Sequence, residues 1–80
     1  MSLNVGSVTR AAADELRRIL QKHKRWNSAH EGYAKMLEEM DELKTEVWLK
    51  ESKRDLKRMR KEAIQVAATA LRFALECCDE

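Results

Sequence analysis

Acidic residues crowd the middle of this 80-residue chain, where five of them fall within nine positions. A helix would bring Glu38 close to Glu42, and Glu42 close to Glu46, since both pairs are four residues apart. Each pair of like charges at this spacing costs about 0.2–0.5 kcal/mol. A divalent cation would relieve the repulsion, because hard metal ions prefer carboxylate oxygens. The alternative is a solvated acidic face. The five acids are Glu38, Glu39, Asp41, Glu42 and Glu46.

One further carboxylate, Glu62, lies downstream at the edge of an apolar stripe of the next predicted helix. Antiparallel packing of the two helices would bring Glu39 and Glu42 opposite Glu62. Carboxylates that meet at such a seam are costly unless a metal binds them. The pattern therefore predicts a cation site that both helices share.

A basic run precedes Glu62, with seven lysines and arginines in the twelve residues 50–61. Positive charge in the first turns of a helix opposes the helix dipole, and a polyphosphate ligand would resolve that conflict. Arg58 and Lys61 are the predicted phosphate contacts, and Arg58 lies four residues before Glu62. The alternative is a solvated basic face. Nucleic-acid binding is disfavoured, because the net charge is only +2 and no aromatic residues interleave with the run.

Large flat side chains occur at only four positions, which are Trp26, Tyr33, Trp48 and Phe73. One of Trp26, Tyr33 and Trp48 could stack on a base, and Trp48 is the predicted substrate contact among them. The alternative is packing in the core or at an interface, where a small domain needs its aromatic residues.

The composition predicts an all-α protein, because there is no proline, there are two glycines and 38% of residues are charged. The first helix is expected to begin near Ser7 or Thr9 and to end near residue 24. Ser28 and Glu31 form a capping box that opens the second helix, residues 29–50. A similar start at residues 52–55 opens the third, which ends near Cys77.

Eighty residues form a single domain, predicted to span residues 1–80, that buries only about 60% of the surface of its unfolded chain. The two later helices, both long, are predicted to pack antiparallel. From Ala63 onward the third helix is apolar on several sides. This excess predicts a homodimer, or a dimer of dimers, with a four-helix-bundle core.

Export and membrane insertion are not expected. No stretch of 18 apolar residues exists, and residues 1–10 lack the apolar core of a signal peptide. Cys77 and Cys78 are adjacent and give no disulfide framework. The cytoplasm is therefore the expected location.

The segment from Glu38 to Leu43 resembles the E-E-x-x-E-L element of MazG-like nucleotide pyrophosphohydrolases. The second element of that all-α family, E-x-x-D, corresponds to residues 62–65 on the next long helix. The resemblance covers roughly residues 26–78, and it is strongest to short phage and prophage members.

The resemblance implies that Mg²⁺, or Mn²⁺, binds a nucleoside triphosphate, which water splits into a nucleoside monophosphate and pyrophosphate. The implied role is housecleaning of the nucleotide pool. The implied metal ligands are Glu39, Glu42, Glu62 and Gln65, and the implied catalytic carboxylates are Glu38, as supporting ligand or base, and Glu39.

The chain departs from the family pattern at Gln65, which stands where the family has aspartate. An amide oxygen can bind a cation, but it carries no charge and is a poor general base. This departure keeps an alternative open, namely a catalytically degenerate relative that binds nucleotide or acts as a helical interaction protein.

Overall fold

The computed structural model describes residues 3–78, which form three α-helices and no strand. Helix α1 is Val5–Lys22, α2 is Ala29–Val47 and α3 is Leu56–Cys77, with a short 3₁₀-helix at Glu51–Lys53. The predicted all-α class is confirmed. The predicted domain, 1–80, also includes residues 1, 2, 79 and 80, which lie outside the described residues.

The predicted start of α2 is confirmed. The hydroxyl of Ser28 accepts a hydrogen bond from the amide of Glu31 at 3.1 Å. The carboxylate of Glu31 reaches back one residue further than a capping box requires, and accepts from the amide of Asn27 at 3.0 Å. Two free amides at the helix start are thereby satisfied.

The predicted starts of the other two helices are wrong. Asn4 caps α1 by accepting from the amide of Ser7 at 2.9 Å, while the Thr9 hydroxyl donates to the carbonyl of Val5. Asp55 caps α3 by accepting from the amides of residues 57 and 58, whereas Ser52 lies within the 3₁₀-helix. Both observed caps are still Asn or Asp, which accept well at this position.

Helix α3 lies between the other two and contacts both, whereas α1 and α2 do not pack on each other within residues 3–78. The contacts of α1 with α3 include a hydrogen bond from Arg60 to Ser7 near the start of both helices. The buried apolar core within residues 3–78 is small, as the sequence predicts. It consists of Ala12, Ile19, Trp26 and Ala68.

A close approach between α2 and α3 occurs at Gly32, which is buried. A Cβ atom at this position would lie 2.8 Å from the ring of Trp26 and 2.9 Å from the ring of Phe73. Such contacts are too short, so only glycine fits without displacing a ring. Gly32 therefore lets the two helices come together here.

Many large apolar side chains remain exposed, and they occur on all three helices. The most exposed of these side chains on α2 and beside it are Tyr33, Leu37, Met40 and Trp48, and those on α3 are Leu56, Leu71 and Leu75.

No described helix combines the length and the apolarity that a membrane crossing requires.

Candidate metal centre

Three carboxylates converge between α2 and α3. Glu39 and Glu42, one turn apart on α2, and Glu62 of α3 each offer one oxygen, and these three oxygens lie within 4.8 Å of one another. The geometry follows from the 3.6-residue period, which places positions i and i+3 on one face of α2, here toward α3. These are the three residues that the sequence predicts to meet.

The three carboxylates are not neutralised by arginine or lysine ion pairs within the described residues. The Oε2 atom of Glu62 is buried and has no hydrogen-bond partner there. Burial, followed by the nearby charge of Glu42, raises the pKa of Glu39 to about 6. The same two causes raise the pKa of Glu62. The cluster therefore holds negative charge that costs free energy.

The donor set fits a hard divalent cation. All three donors are carboxylate oxygens, which Mg²⁺ and Mn²⁺ both accept. Glu39 and Glu62 are half-buried, and Glu42 is exposed. One side is therefore open to solvent, and Mg²⁺ usually retains several water molecules. The orphaned oxygen of Glu62 is the clearest single sign of a missing counter-charge.

An ion pair flanks the cluster one turn further along α2. The guanidinium of Arg58, on α3, lies 3.5 Å from the carboxylate of Glu46. The carboxylate of Glu46 is mostly buried and its charge contributes to the raised pKa of Glu62. The side chain of Arg58 is largely exposed, so its guanidinium remains accessible to an anion although it pairs with Glu46.

The structure does not bring Glu38 or Gln65 into the cluster. Glu38 pairs with Lys35 at 2.9 Å on the exposed side of α2. The amide nitrogen of Gln65 donates to Glu15 of α1 at 2.6 Å, which turns it toward the opposite helix. Both side chains are engaged elsewhere, Glu38 with Lys35 and Gln65 with Glu15, and their roles as base and metal ligand stay predictions.

The two remaining predicted substrate contacts lie in different places. Lys61 lines a groove between α1 and α3. Trp48, which follows the last residue of α2, is 74% exposed, and its ring lies 5.8 Å from the ammonium nitrogen of Lys44. An exposed indole is free to stack, but no described contact joins it to the glutamates.

A buried polar network was missed at the other end of α3. Arg72 pairs with Glu76 at 2.7 Å and donates to the carbonyl of Lys24 at 2.8 Å. The other carboxylate oxygen of Glu76 accepts from the amide of Trp26, whose ring lies 3.9 Å from the Arg72 guanidinium. The sequence does carry a signal for this network, because Arg72 and Glu76 are opposite charges four residues apart in the most apolar segment.

We compared the chain with protein families, with curated proteins and with solved structures, and none of the three comparisons found a match. Function is therefore inferred from the geometry and chemistry of the residues themselves.

Proposed function

We propose that the protein is a metal-dependent nucleoside triphosphate pyrophosphohydrolase of the MazG-like type. The observation that supports this most is the cluster of Glu39, Glu42 and Glu62, which includes a buried oxygen without a partner. The cluster joins the two motifs on which the family resemblance depends. The proposed reaction converts a nucleoside triphosphate and water into a nucleoside monophosphate and pyrophosphate.

In this proposal Glu39, Glu42 and Glu62 hold Mg²⁺ or Mn²⁺. When bound, the ion would neutralise negative charge on the phosphoryl group that is transferred. Arg58 adds a guanidinium next to the carboxylates, suited to a phosphate oxygen. Burial and the charge of Glu42 raise the pKa of Glu39 to about 6 in the metal-free cluster, and a bound cation would lower it again, which couples cation binding to proton release.

The proposal includes antiparallel packing of α2 and α3 and a dimer with a four-helix-bundle core. The antiparallel direction is supported by two contacts, one between Gly32 and Phe73 and one between Glu46 and Arg58. The dimer is supported by the apolar side chains that α2 leaves exposed. A second copy would cover part of this surface and place Trp48 near the interface.

One observation favours a second candidate, a catalytically inactive relative that still binds nucleotide. Gln65 stands in the place of the family aspartate, and its amide is already bonded to Glu15. A site with three carboxylates and without this fourth residue would hold a cation without activating water efficiently. The substitution Gln65→Asp separates the candidates, since a decayed site would gain turnover.

The test is pyrophosphate release from the common ribo- and deoxyribonucleoside triphosphates in the presence of Mg²⁺ or Mn²⁺. We expect release by the wild-type protein and a loss of about 100-fold or more in the Glu39→Gln and Glu62→Gln variants. Glu38→Gln is the matched control, because it removes the same charge from α2 outside the cluster, and it should retain activity.

A thermal melt with and without Mg²⁺ tests the cation site separately from catalysis. A ligand that binds only the native state raises the melting temperature. The wild type and Glu38→Gln should respond to Mg²⁺, and Glu62→Gln should not. A response without pyrophosphate release supports the inactive relative, and the absence of both contradicts the proposed site.

A further inference from the structure

A groove of about 440 Å³ runs between α1 and α3, on a side of α3 that the proposed metal centre does not use. Four cationic side chains line it, one from α1 and three from α3. The volume lies within the range of small-molecule sites. The four are Arg18, Lys57, Arg60 and Lys61.

The three cations from α3 are not held in ion pairs by the acidic side chains that the structure describes. None of Lys57, Arg60 and Lys61 forms an ion pair within residues 3–78. Lys57 and Lys61 are four residues apart, so they repel each other on one face of the helix. All three lie in the first two turns of α3, where the helix dipole is already positive. An anion in the groove would relieve both conflicts.

The acidic side chains of the groove are already neutralised. Glu15 bonds to Arg18 and accepts from Gln65, and its hydrogen bond with Arg18 is the main cause that lowers its pKa to about 2. Asp14 pairs with Arg17 at 3.2 Å. The groove therefore keeps an excess of positive charge, and Glu15 holds Arg18 at its wall.

We propose that this groove binds a short polyphosphate anion, such as inorganic pyrophosphate or triphosphate. Arginine and lysine bind phosphate oxygens through charge-assisted hydrogen bonds, and a few such groups suit a chain of two or three phosphates. A nucleic-acid strand is the less favoured occupant, because no aromatic side chain lines the groove to stack on bases. The inference does not depend on the proposed hydrolase activity.

The test is isothermal titration calorimetry with inorganic tripolyphosphate at about 0.15 M salt, where distant surface charges are screened, and without divalent cations. We expect the variant Lys57→Gln/Arg60→Gln/Lys61→Gln to bind about tenfold more weakly than the wild type, or worse. The variant Lys24→Gln/Lys50→Gln/Lys53→Gln is the matched control. It removes the same charge from exposed residues outside the groove, and it should change affinity less than about twofold.

Three outcomes would overturn the inference. They are the absence of tripolyphosphate binding to the wild type, an equal loss in both triple variants, and tighter binding of a short single-stranded oligonucleotide than of tripolyphosphate. The variant Glu39→Gln/Glu62→Gln should bind tripolyphosphate at least as tightly as the wild type, because it removes only negative charge, including that of Glu62 near Lys61. This separates the groove from the proposed metal centre, so that either proposal can fail alone.

Discussion

The two ends of α3 treat buried carboxylates in opposite ways. Near its C-terminal end, Glu76 receives hydrogen bonds from Arg72 and from the amide of Trp26, which lower its pKa although burial opposes this. In its first half, Glu62 lies against Glu39 and Glu42, and its pKa is raised. The first arrangement has its partners in place, whereas the second forms no ion pair with a cationic side chain anywhere in residues 3–78.

Whether a carboxylate has its partners in place distinguishes an acidic residue that stabilises the fold from one that is a candidate for function. A carboxylate with its partners in place contributes to the fold and needs nothing further. A set of carboxylates held together without partners is unfavourable by itself, and the packing of the rest of the molecule must compensate for it. The raised pKa values of Glu39 and Glu62 and the convergence of the three oxygens have the same geometric origin, and both motivate the proposed metal centre.

The largest expected effect comes from breaking the satisfied end. Replacing Arg72 with methionine leaves Glu76 buried without its cation, so we expect a loss of about 3–5 kcal/mol in the free energy of unfolding. Urea unfolding followed by circular dichroism measures this loss. The double variant Arg72→Met/Glu76→Leu should recover much of it, because no unpaired charge remains.

Arg17→Ala is the control for that series, since its pair with Asp14 is exposed and should contribute less than about 1 kcal/mol. If Arg72→Met lowers the free energy of unfolding no more than this control does, the Arg72–Glu76 pair does not stabilise the packing of the segment between α1 and α2 on α3.

A smaller effect of opposite sign, a gain in the free energy of unfolding, is expected at the cluster of three glutamates. Glu39→Gln removes the repulsion of one carboxylate with its two neighbours, so it should stabilise the metal-free protein by about 0.4–1 kcal/mol. Urea unfolding in the presence of a chelator measures the gain, with Glu38→Gln as the matched control. A destabilised Glu39→Gln variant would mean that the carboxylates of the cluster do not repel one another.

Further effects, of opposite sign for Glu39 and Glu15, are expected in the pH dependence of stability without metal. The pKa of Glu39 is raised from 4.5 to about 6, so its stabilising contribution is complete below pH 4.5 and is lost as the pH rises through 6. The pKa of Glu15 is lowered to about 2, so its contribution is complete above pH 4.5 and is lost as the pH falls toward 2.

Melting temperatures across this pH range, measured for the wild type, Glu39→Gln and Glu15→Gln, check both signs. Glu39→Gln should remove part of the decline between pH 4.5 and 6, and Glu15→Gln part of the decline on the acid side. Identical profiles for all three proteins would contradict the assigned pKa shifts.

Local sequence rules predicted the helices and the three converging glutamates, because both depend on periodicity. Ser28 was predicted correctly as a cap, since a link precedes it and an apolar stripe follows. The caps of α1 and α3 were placed wrongly because Ser7, Thr9 and Ser52 are also acceptable cap residues, and Asn4 and Asp55 were the ones used.

Contacts with α1 could not be predicted from the same rules. Gln65 was expected to join the metal ligands, but α1 packs on α3 and offers Glu15 as a hydrogen-bond acceptor. The bonds of Arg72 to Lys24 and of Glu76 to Trp26 join residues about fifty positions apart. Helical spacing carries no information about such pairs, since they depend on which faces of the helices meet.

Because Gly32 has no Cβ atom, it determines how closely α2 can approach α3. Because the rings of Trp26 and Phe73 fill the space where a Cβ would lie, α2 is seated there against α3. Glu39 follows Gly32 by seven residues, a rise of only about 10 Å along the helix. A larger residue at position 32 would move α2 away from α3. It would thereby separate the three carboxylate oxygens of the cluster without contacting any of them.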